Sequence, residues 1–197
     1  MPLIDIARAL GFSFTSGVNL YATVALLGLT ARYGWVELPP QFQVFDNDLV
    51  IYGALGMYLI EFLADKIPWV DSMWDAVHTV IRPLGGALVA VAAVGEASPA
   101  VEGLVAVLGG SVAATSHFAK AGSRAAANTS PEPVTNSVLS LLEDLFVFGL
   151  GILALLFPVV ALVLVLLLLV AILFFSVRLY RAARRWLGRA RPASAGV

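Results

Sequence analysis

Residues 145–177 read LFVFGLGILALLFPVVALVLVLLLLVAILFFSV, and no charged residue interrupts them. As one α-helix rising about 1.5 Å per residue, the stretch would reach about 50 Å, while the hydrocarbon core of a bilayer is about 30 Å thick. It must fold back. Pro158 marks the turning point, because proline suits the first turn of a helix and poorly suits an interior. Two crossing helices joined by a tight turn follow, and with them the solvent of the chain, which is lipid.

Composition agrees. The chain has 197 residues, 60% hydrophobic and 13% charged, where a soluble domain carries about 45–50% and about 25%. That leaves too little polar surface to cover a globule in water. The absence of cysteine excludes a disulfide scaffold, thiol chemistry and iron–sulfur clusters. The hydrophobicity excludes a disordered chain. A formal net charge of −1, with the basic residues gathered near one end, argues against a nucleic-acid partner. The expected fold is all-α: a polytopic membrane bundle of about six transmembrane helices in one domain, residues 1–178, followed by a basic tail, 179–197.

Working outward from the decisive stretch, the expected spans are 9–31, 49–65, 68–94, 102–121, 134–157 and 158–177. The first is uncharged yet polar, with Ser13, Thr15, Ser16, Asn19, Tyr21 and Thr23 inside it. Its length and polarity distinguish it from a cleavable leader. The third holds Pro83 and is read as one helix kinked there, with a re-entrant pair as the alternative. Arg178, Arg181, Arg184, Arg185, Arg189 and Arg191 follow the last span, which places the tail in the cytoplasm. Counting back through six spans puts the N-terminus there too, with Arg32 as the one dissenter.

An internal repeat is expected. Pro68, Asp71 and Ser72 match Pro133, Asn136 and Ser137, each after an apolar helix carrying Phe and Lys. This makes spans two and three a parallel copy of spans four and five. A rival alignment pairs Gly17, Ala22, Thr23 and Arg32 with Gly109, Ala114, Thr115 and Arg124, as an inverted repeat of spans one to three in spans four to six. Gly53 with Gly56, Gly85 with Gly86, Gly109 with Gly110 and Gly149 with Gly151 are expected at close helix contacts.

Asp71, Asp75, His78 and Arg82 fall on one helical face, as do Asn136, Ser140, Glu143 and Asp144. Glu61, Asp65 and Lys66 end the second span. His117, Lys120 and Arg124 end the fourth. Ionisable groups facing lipid are costly, so these are expected to face one another or a wet cavity open to the cytoplasm, lined also by Asn19. The candidate pathway is therefore Asn19, Glu61, Asp71, Asp75, His78, Arg82, His117, Lys120, Arg124, Asn136, Glu143 and Asp144. Plainer roles stand beside this one. Asp65, Lys66, Lys120 and Arg124 suit interfacial anchors. Asp71 and Asn136 suit helix caps. Arg82 suits a bridge to Glu143 or Asp144. Trp35, Trp69, Trp74 and Trp186 suit interface belts. Asp75 and His78, with Glu61 and His117, are weak metal-ligand candidates, and no cofactor is otherwise indicated. The motifs of phosphate loops, hydrolase elbows and zinc proteases are absent.

Several segments are distinctive: Ser16 to Thr23 (SGVNLYAT), Asp65 to Asp71 (DKIPWVD), Trp74 to Thr79 (WDAVHT), Arg82 to Gly86 (RPLGG), Ala119 to Arg124 (AKAGSR) and Asn128 to Pro133 (NTSPEP). Together they resemble an uncharacterised bacterial membrane family, domain of unknown function 4126. The resemblance implies a bacterial inner-membrane setting and brings no activity with it. The leading functional expectation is a small transporter or channel for an ion, a proton-coupled solute or a lipid headgroup, in contact with membrane lipids and expected as a homodimer. The alternatives are a non-catalytic assembly subunit and a metal-dependent membrane enzyme acting on lipid.

Overall fold

Four prolines open four helices. In the computed structural model, which describes residues 3–129 and 133–189 with side chains through Arg185, Pro68, Pro99, Pro133 and Pro158 each stand at the first position of a helix. There the missing N–H costs nothing and the fixed φ is already helical. The helices are α1 (Leu3–Val18), α2 (Leu20–Tyr33), α3 (Asp48–Ala64), α4 (Pro68–Val94), α5 (Pro99–Ala127), α6 (Pro133–Leu156) and α7 (Pro158–Arg189), with a 3-10 turn at Pro40–Phe45. Asn47 caps α3 by accepting from the Leu49 and Val50 amides. Gly34, at φ 60°, ends α2 in the left-handed conformation that glycine adopts without strain.

Four helices are long and apolar enough to cross a membrane: Pro68–Val94, Pro99–Ala127, Val134–Leu156 and Pro158–Arg185. The turn at Pro158 is where the apolar run predicts it. Residues 68–94 form a single helix with Pro83 inside, so the re-entrant alternative for this segment falls away. The 17-residue α3 is shorter, about 26 Å. It still runs from Asp48, which pairs with Arg32, to a C-cap at Asp65, which pairs with Arg124.

The first apolar stretch differs from expectation. It is two helices, broken at Asn19 in an extended conformation (φ −148°, ψ 101°). The contacts show that the chain doubles back at this break. Ile6, Ala9 and Leu10 lie beside Val101 and Val105, at the start of α5. Gly17 lies against Ala113 and Ser116, farther along it. After the break, Leu20 meets Gly85 and Leu26 meets Gly151. Thr30 then lies beside Leu155 near the end of α6. Gly11 and Leu26, 15 positions apart, thus touch Ala154 and Gly151, less than one turn apart on the same helix. The 3-10 turn fills the opening between the two arms: Phe42 packs edge-on against Phe12, and the Phe45 carbonyl closes over Gly28.

This hairpin changes the topology. Both its free ends lie at the end of the bundle that carries the 34–47 segment, the α4–α5 turn and Phe157. α7 runs from there to the other end. The first and last described helices therefore begin and finish at opposite ends of the bundle. The inverted-repeat alignment also loses its footing, since it would match a broken hairpin with the continuous 29-residue α5. The stretch was misread because its length and lack of charge fit a span. Its hydroxyls and amide, unusual in a lipid-facing helix, are buried inside the protein: Ser13, Thr15, Ser16, Asn19 and Thr23 are all inaccessible or nearly so.

Close approach explains the glycines selectively. A Cβ on Gly17 would collide with Ser116 and the Ala113 carbonyl, and one on Gly86 or Gly109 would collide with Ala113 or Ala90. These residues form a seam where α1, α4 and α5 meet. Among the described residues, Gly53, Gly56 and Gly149 have nothing within 4 Å of such a Cβ and serve no helix contact.

Two outcomes follow. Gly17→Ala and Gly109→Ala should each cost about 1–3 kcal/mol through overpacking, read as a lowered unfolding temperature in detergent, while Gly53→Ala leaves it unchanged. Because the chain lacks cysteine, Leu3→Cys and Leu179→Cys can be labelled singly in sealed vesicles. An impermeant maleimide should reach them from opposite faces, and labelling from one face would refute the hairpin.

Candidate functional site

The end of the bundle away from the hairpin's opening gathers the buried ionisable groups of α3 to α6. α3 delivers Glu61 and Asp65 from its last turn. α4 delivers Asp71, Asp75, His78 and Arg82 from one stripe. α5 delivers His117, Lys120 and Arg124, and α6 delivers Asn136, Ser140, Glu143 and Asp144. The tip of the hairpin, Asn19 with Tyr21, reaches the same place. All twelve predicted pathway residues thus belong to one cluster.

Its geometry centres on three cations. Arg82, wholly inaccessible, donates Nη2 to Glu61 at 2.7 Å and Nη1 to Asp75 at 3.2 Å. Arg124, 1% exposed, holds Glu143 through Nη2 at 2.6 Å and Nε at 3.0 Å, and holds Asp65 at 3.1 Å. Its Nη1 donates to the main-chain carbonyls of Asp65 and Asn136. Lys120 lies between them, within 3.2–3.5 Å of Asp65, Glu61 and Glu143. The interfacial role expected for Lys120 and Arg124 is thereby corrected: both are buried network members. Arg82 pairs with neither Glu143 nor Asp144, because α3 rather than α6 faces it.

The histidines are fixed by what surrounds them. The Trp74 carbonyl can only accept, so His78 Nδ1 donates to it at 2.8 Å, and in the neutral ring Nε2 accepts from the Tyr21 hydroxyl at 3.0 Å. Arg82 Nη1 can only donate, so His117 Nδ1 accepts at 2.9 Å. Thr79 gives its proton to the Asp75 carbonyl, so His117 Nε2 donates to the Thr79 hydroxyl at 3.1 Å. Trp74 stacks on His78, 4.6 Å between centroids, so it is part of the site instead of an interface anchor. Exposed Trp69 and Trp35 keep the belt reading, Trp35 stacked on Tyr33. Trp186 lies outside the described side chains.

The cap expected at Asp71 does not form. Asp71 sits one turn inside α4 and accepts instead from Asn128 Nδ2 at 3.0 Å, and Asn128 Oδ1 in turn accepts from Asn136 Nδ2 at 2.8 Å. This amide pair links the α5 end to both neighbouring helices. In the link between α3 and α4, Lys66 donates to the Phe62 carbonyl and lies over its ring. Burial holds its ammonium below the ordinary lysine range, against the pull of Asp144 and Asp65. Among the described residues, no three His, Asp or Glu side chains converge as metal ligands. Arg82 stands between Glu61 and Asp75, and both His78 nitrogens are engaged, so the weak metal reading gains no support. Tyr58, Trp74, Tyr21 and Asn128 complete the site without having been singled out as site residues. Asn128 and Tyr21 lay in the distinctive segments. Tyr58, one turn before Glu61, carried no sequence signal.

Charges do not balance. Glu61, Asp65, Asp71, Asp75, Glu143 and Asp144 face three buried cations, and Glu61 Oε2, Asp65 Oδ1, Asp71 Oδ1 and Asp144 Oδ2 are buried without a partner. Two clefts approach the cluster. One of about 310 Å³ lies between α1, α5 and α6, walled by Phe14, Val18, Leu142 and Phe146 and reaching Lys120 and Glu143. Another of about 260 Å³ lies between α4 and α5 and reaches Asp75 and Arg124.

Removing a cation would leave buried carboxylates unpaired, which costs about 3–5 kcal/mol. Arg82→Gln should therefore lower the unfolding temperature strongly, and adding Glu61→Gln with Asp75→Asn should restore much of the loss. No curated protein and no solved structure matches the chain. The model of the family described as Domain of unknown function (DUF4126) matches residues 6–178, which takes in the hairpin and the whole charged cluster, and the chain belongs to that family.

Proposed function

We propose that the protein is a small membrane transporter or channel that moves a cation, a proton-coupled solute or a cation-bearing headgroup through its acid-rich cluster. The observation that carries this reading is the surplus of carboxylates over buried cations, six against three with five of the six buried, and four carboxylate oxygens left without a hydrogen-bond partner. A network built only to knit helices together would be expected to balance, since an unpaired charge in a low-dielectric interior is costly. A surplus suits a site that receives positive charge from outside. The broken hairpin supports the same reading: helices interrupted inside a bundle bring backbone and helix ends to ion sites in many transporters. The clefts reaching Glu143 and Asp75 supply approaches from the sides.

In this proposal the setting is the bacterial inner membrane. The arginines in the last turns of α7 lie in the cytoplasm, beside the charged end, and the open end of the hairpin faces the opposite side. The parallel repeat of α3–α4 in α5–α6 and assembly as a homodimer among membrane lipids belong to the same proposal. A second reading, a non-catalytic assembly subunit, is favoured by the Arg82 and Arg124 ion pairs, which brace α3, α4, α5 and α6 together.

Flux into proteoliposomes separates the two. The purified protein should accelerate proton, alkali-cation or amine movement over protein-free vesicles. Glu143→Gln should reduce the rate at least about tenfold while the folded fraction, measured by size-exclusion in detergent, stays unchanged. Rates equal to those of protein-free vesicles for all three probes, from well-folded protein, would favour the assembly role.

A further inference from the structure

Asp144 is set apart within the cluster. It lies about three turns into α6 and is 7% exposed. Glu61, Asp65, Asp71, Asp75 and Glu143 each have an Arg or Lys nitrogen within 4.0 Å, and among the described residues Asp144 has none. Its Oδ1 accepts one neutral hydrogen bond, from Asn19 Nδ2 at 3.3 Å, and its Oδ2 is buried without a partner. The groups that face it are named readily. Tyr58, Glu61 and Asp65 approach from α3, Lys120 from α5, and Lys66 from the α3–α4 link. From the hairpin it meets Asn19. Two of these are anions. Of the cations, Lys120 is already held by three other carboxylates, and Lys66 is turned onto Phe62.

Asn19 is also the residue that breaks the hairpin. Its Oδ1 accepts from the Ala22 amide and so caps α2, while its Nδ2 reaches Asp144. One amide therefore joins the hinge of the discontinuous helix to the one buried carboxylate that lacks a cation. The first turn of α2, with the partial positive charge of its free amides, points into the same place. A bare carboxylate here would be uncompensated in a medium where that is expensive.

We propose that Asp144, with Asn19 and Tyr58 around it, is the exchangeable monovalent-cation site of the protein, taking up a proton or an alkali ion at its free Oδ2. The proposal deepens the transport reading by naming the residue that holds the coupling charge. Its test reads binding alone, so it can fail while transport stands, or stand while transport fails. No bond is made or broken beyond the O–H of a bound proton, which is released to water when the site empties.

Infrared difference spectra of the purified protein in detergent test it directly. The carbonyl stretch of a protonated carboxyl is recorded between about pH 5 and about pH 9, first in choline buffer and then with sodium or potassium added at constant pH. Wild type should show a protonated-carboxyl band that disappears as pH rises, which identifies the proton as occupant. If it also disappears on adding alkali ion at fixed pH, the two ions share the site. Asp144→Asn, nearly isosteric, should lose the band altogether, while Asp75→Asn and Glu143→Gln keep it. Should Asp144→Asn fail to purify, Tyr58→Phe removes only a hydroxyl that faces Asp144, and it should shift the midpoint of the same band. The proposal is overturned if wild type shows no such band in either series. It is equally overturned if the band survives in Asp144→Asn, or if its midpoint is indifferent to Tyr58→Phe.

Discussion

Arg82 offers five N–H donors and no acceptor, and it has no access to water. A guanidinium in that position depends on partners from the protein, and much of the charged end is arranged to meet its two terminal nitrogens, while Nε is left without a partner. Glu61 from α3 takes one nitrogen, while Asp75 and His117 share another, the first from its own helix and the second from α5. Lys120 then finds Glu61 already engaged and leans on Asp65 and Glu143 as well, and Arg124 closes the chain through the same two carboxylates. Each cation therefore shares its acids with the next. The crossing helices gain their relative positions at this end from a polar network, and next to it, where α1, α4 and α5 meet, from glycine and alanine contacts. In lipid, where hydrophobic burial does not drive helices together, these are the two forces available.

The hairpin makes sense against that background. A break in a helix exposes backbone groups that lipid cannot satisfy, so it is tolerated only inside protein. At Asn19 very little is left exposed. The Asn19 amide still donates to the Thr15 carbonyl, the Thr23 amide and hydroxyl both donate to the Asn19 carbonyl, and the Asn19 side chain covers the Ala22 amide. Further hydroxyls tie the stretch to its neighbours at the seam: Ser13 Oγ lies 3.1 Å from the Gly86 carbonyl, and on the far side Ser116 donates to the Phe14 carbonyl. Small residues on α4 and α5 let α1 come this close, which is why a helix so rich in hydroxyls can sit at the centre of the bundle.

These particulars show what the sequence could and could not tell. The turn at Pro158 was legible because length against bilayer thickness leaves no other outcome. The convergence of the charged stripes was legible too, since no polar group can be spared to lipid and helical spacing says which residues share a face. Partner choice within the cluster was not. Whether Arg82 meets Glu61 or Glu143 depends on which helix packs beside α4, and periodicity along one helix carries no information about its neighbours. The hairpin was missed for a related reason. Length and apolarity measure fitness to cross and cannot register a single extended residue, although the density of hydroxyls around Asn19 was the visible sign that this helix faces protein. Tyr58 was invisible because an isolated tyrosine near a helix end looks the same at an interface as in a core.

The two peculiarities of the molecule, an uneven charge count and a broken helix, meet in one side chain. Asn19 has a single amide, and it is committed in both directions: its oxygen to the first turn of α2 and its nitrogen to Asp144. Rotation of that amide cannot serve one contact and spare the other. A change in the charge on Asp144 therefore alters the bond that orients the cap. The start of α2 responds at the cap that Asn19 supplies, while α1 stays locked into the glycine seam on the other side of the break. Both arms are held by close packing, α1 at the glycine seam and α2 through Leu20 on Gly85 and Leu26 on Gly151, and to this the Asn19 cap adds a contact whose strength depends on the charge of Asp144.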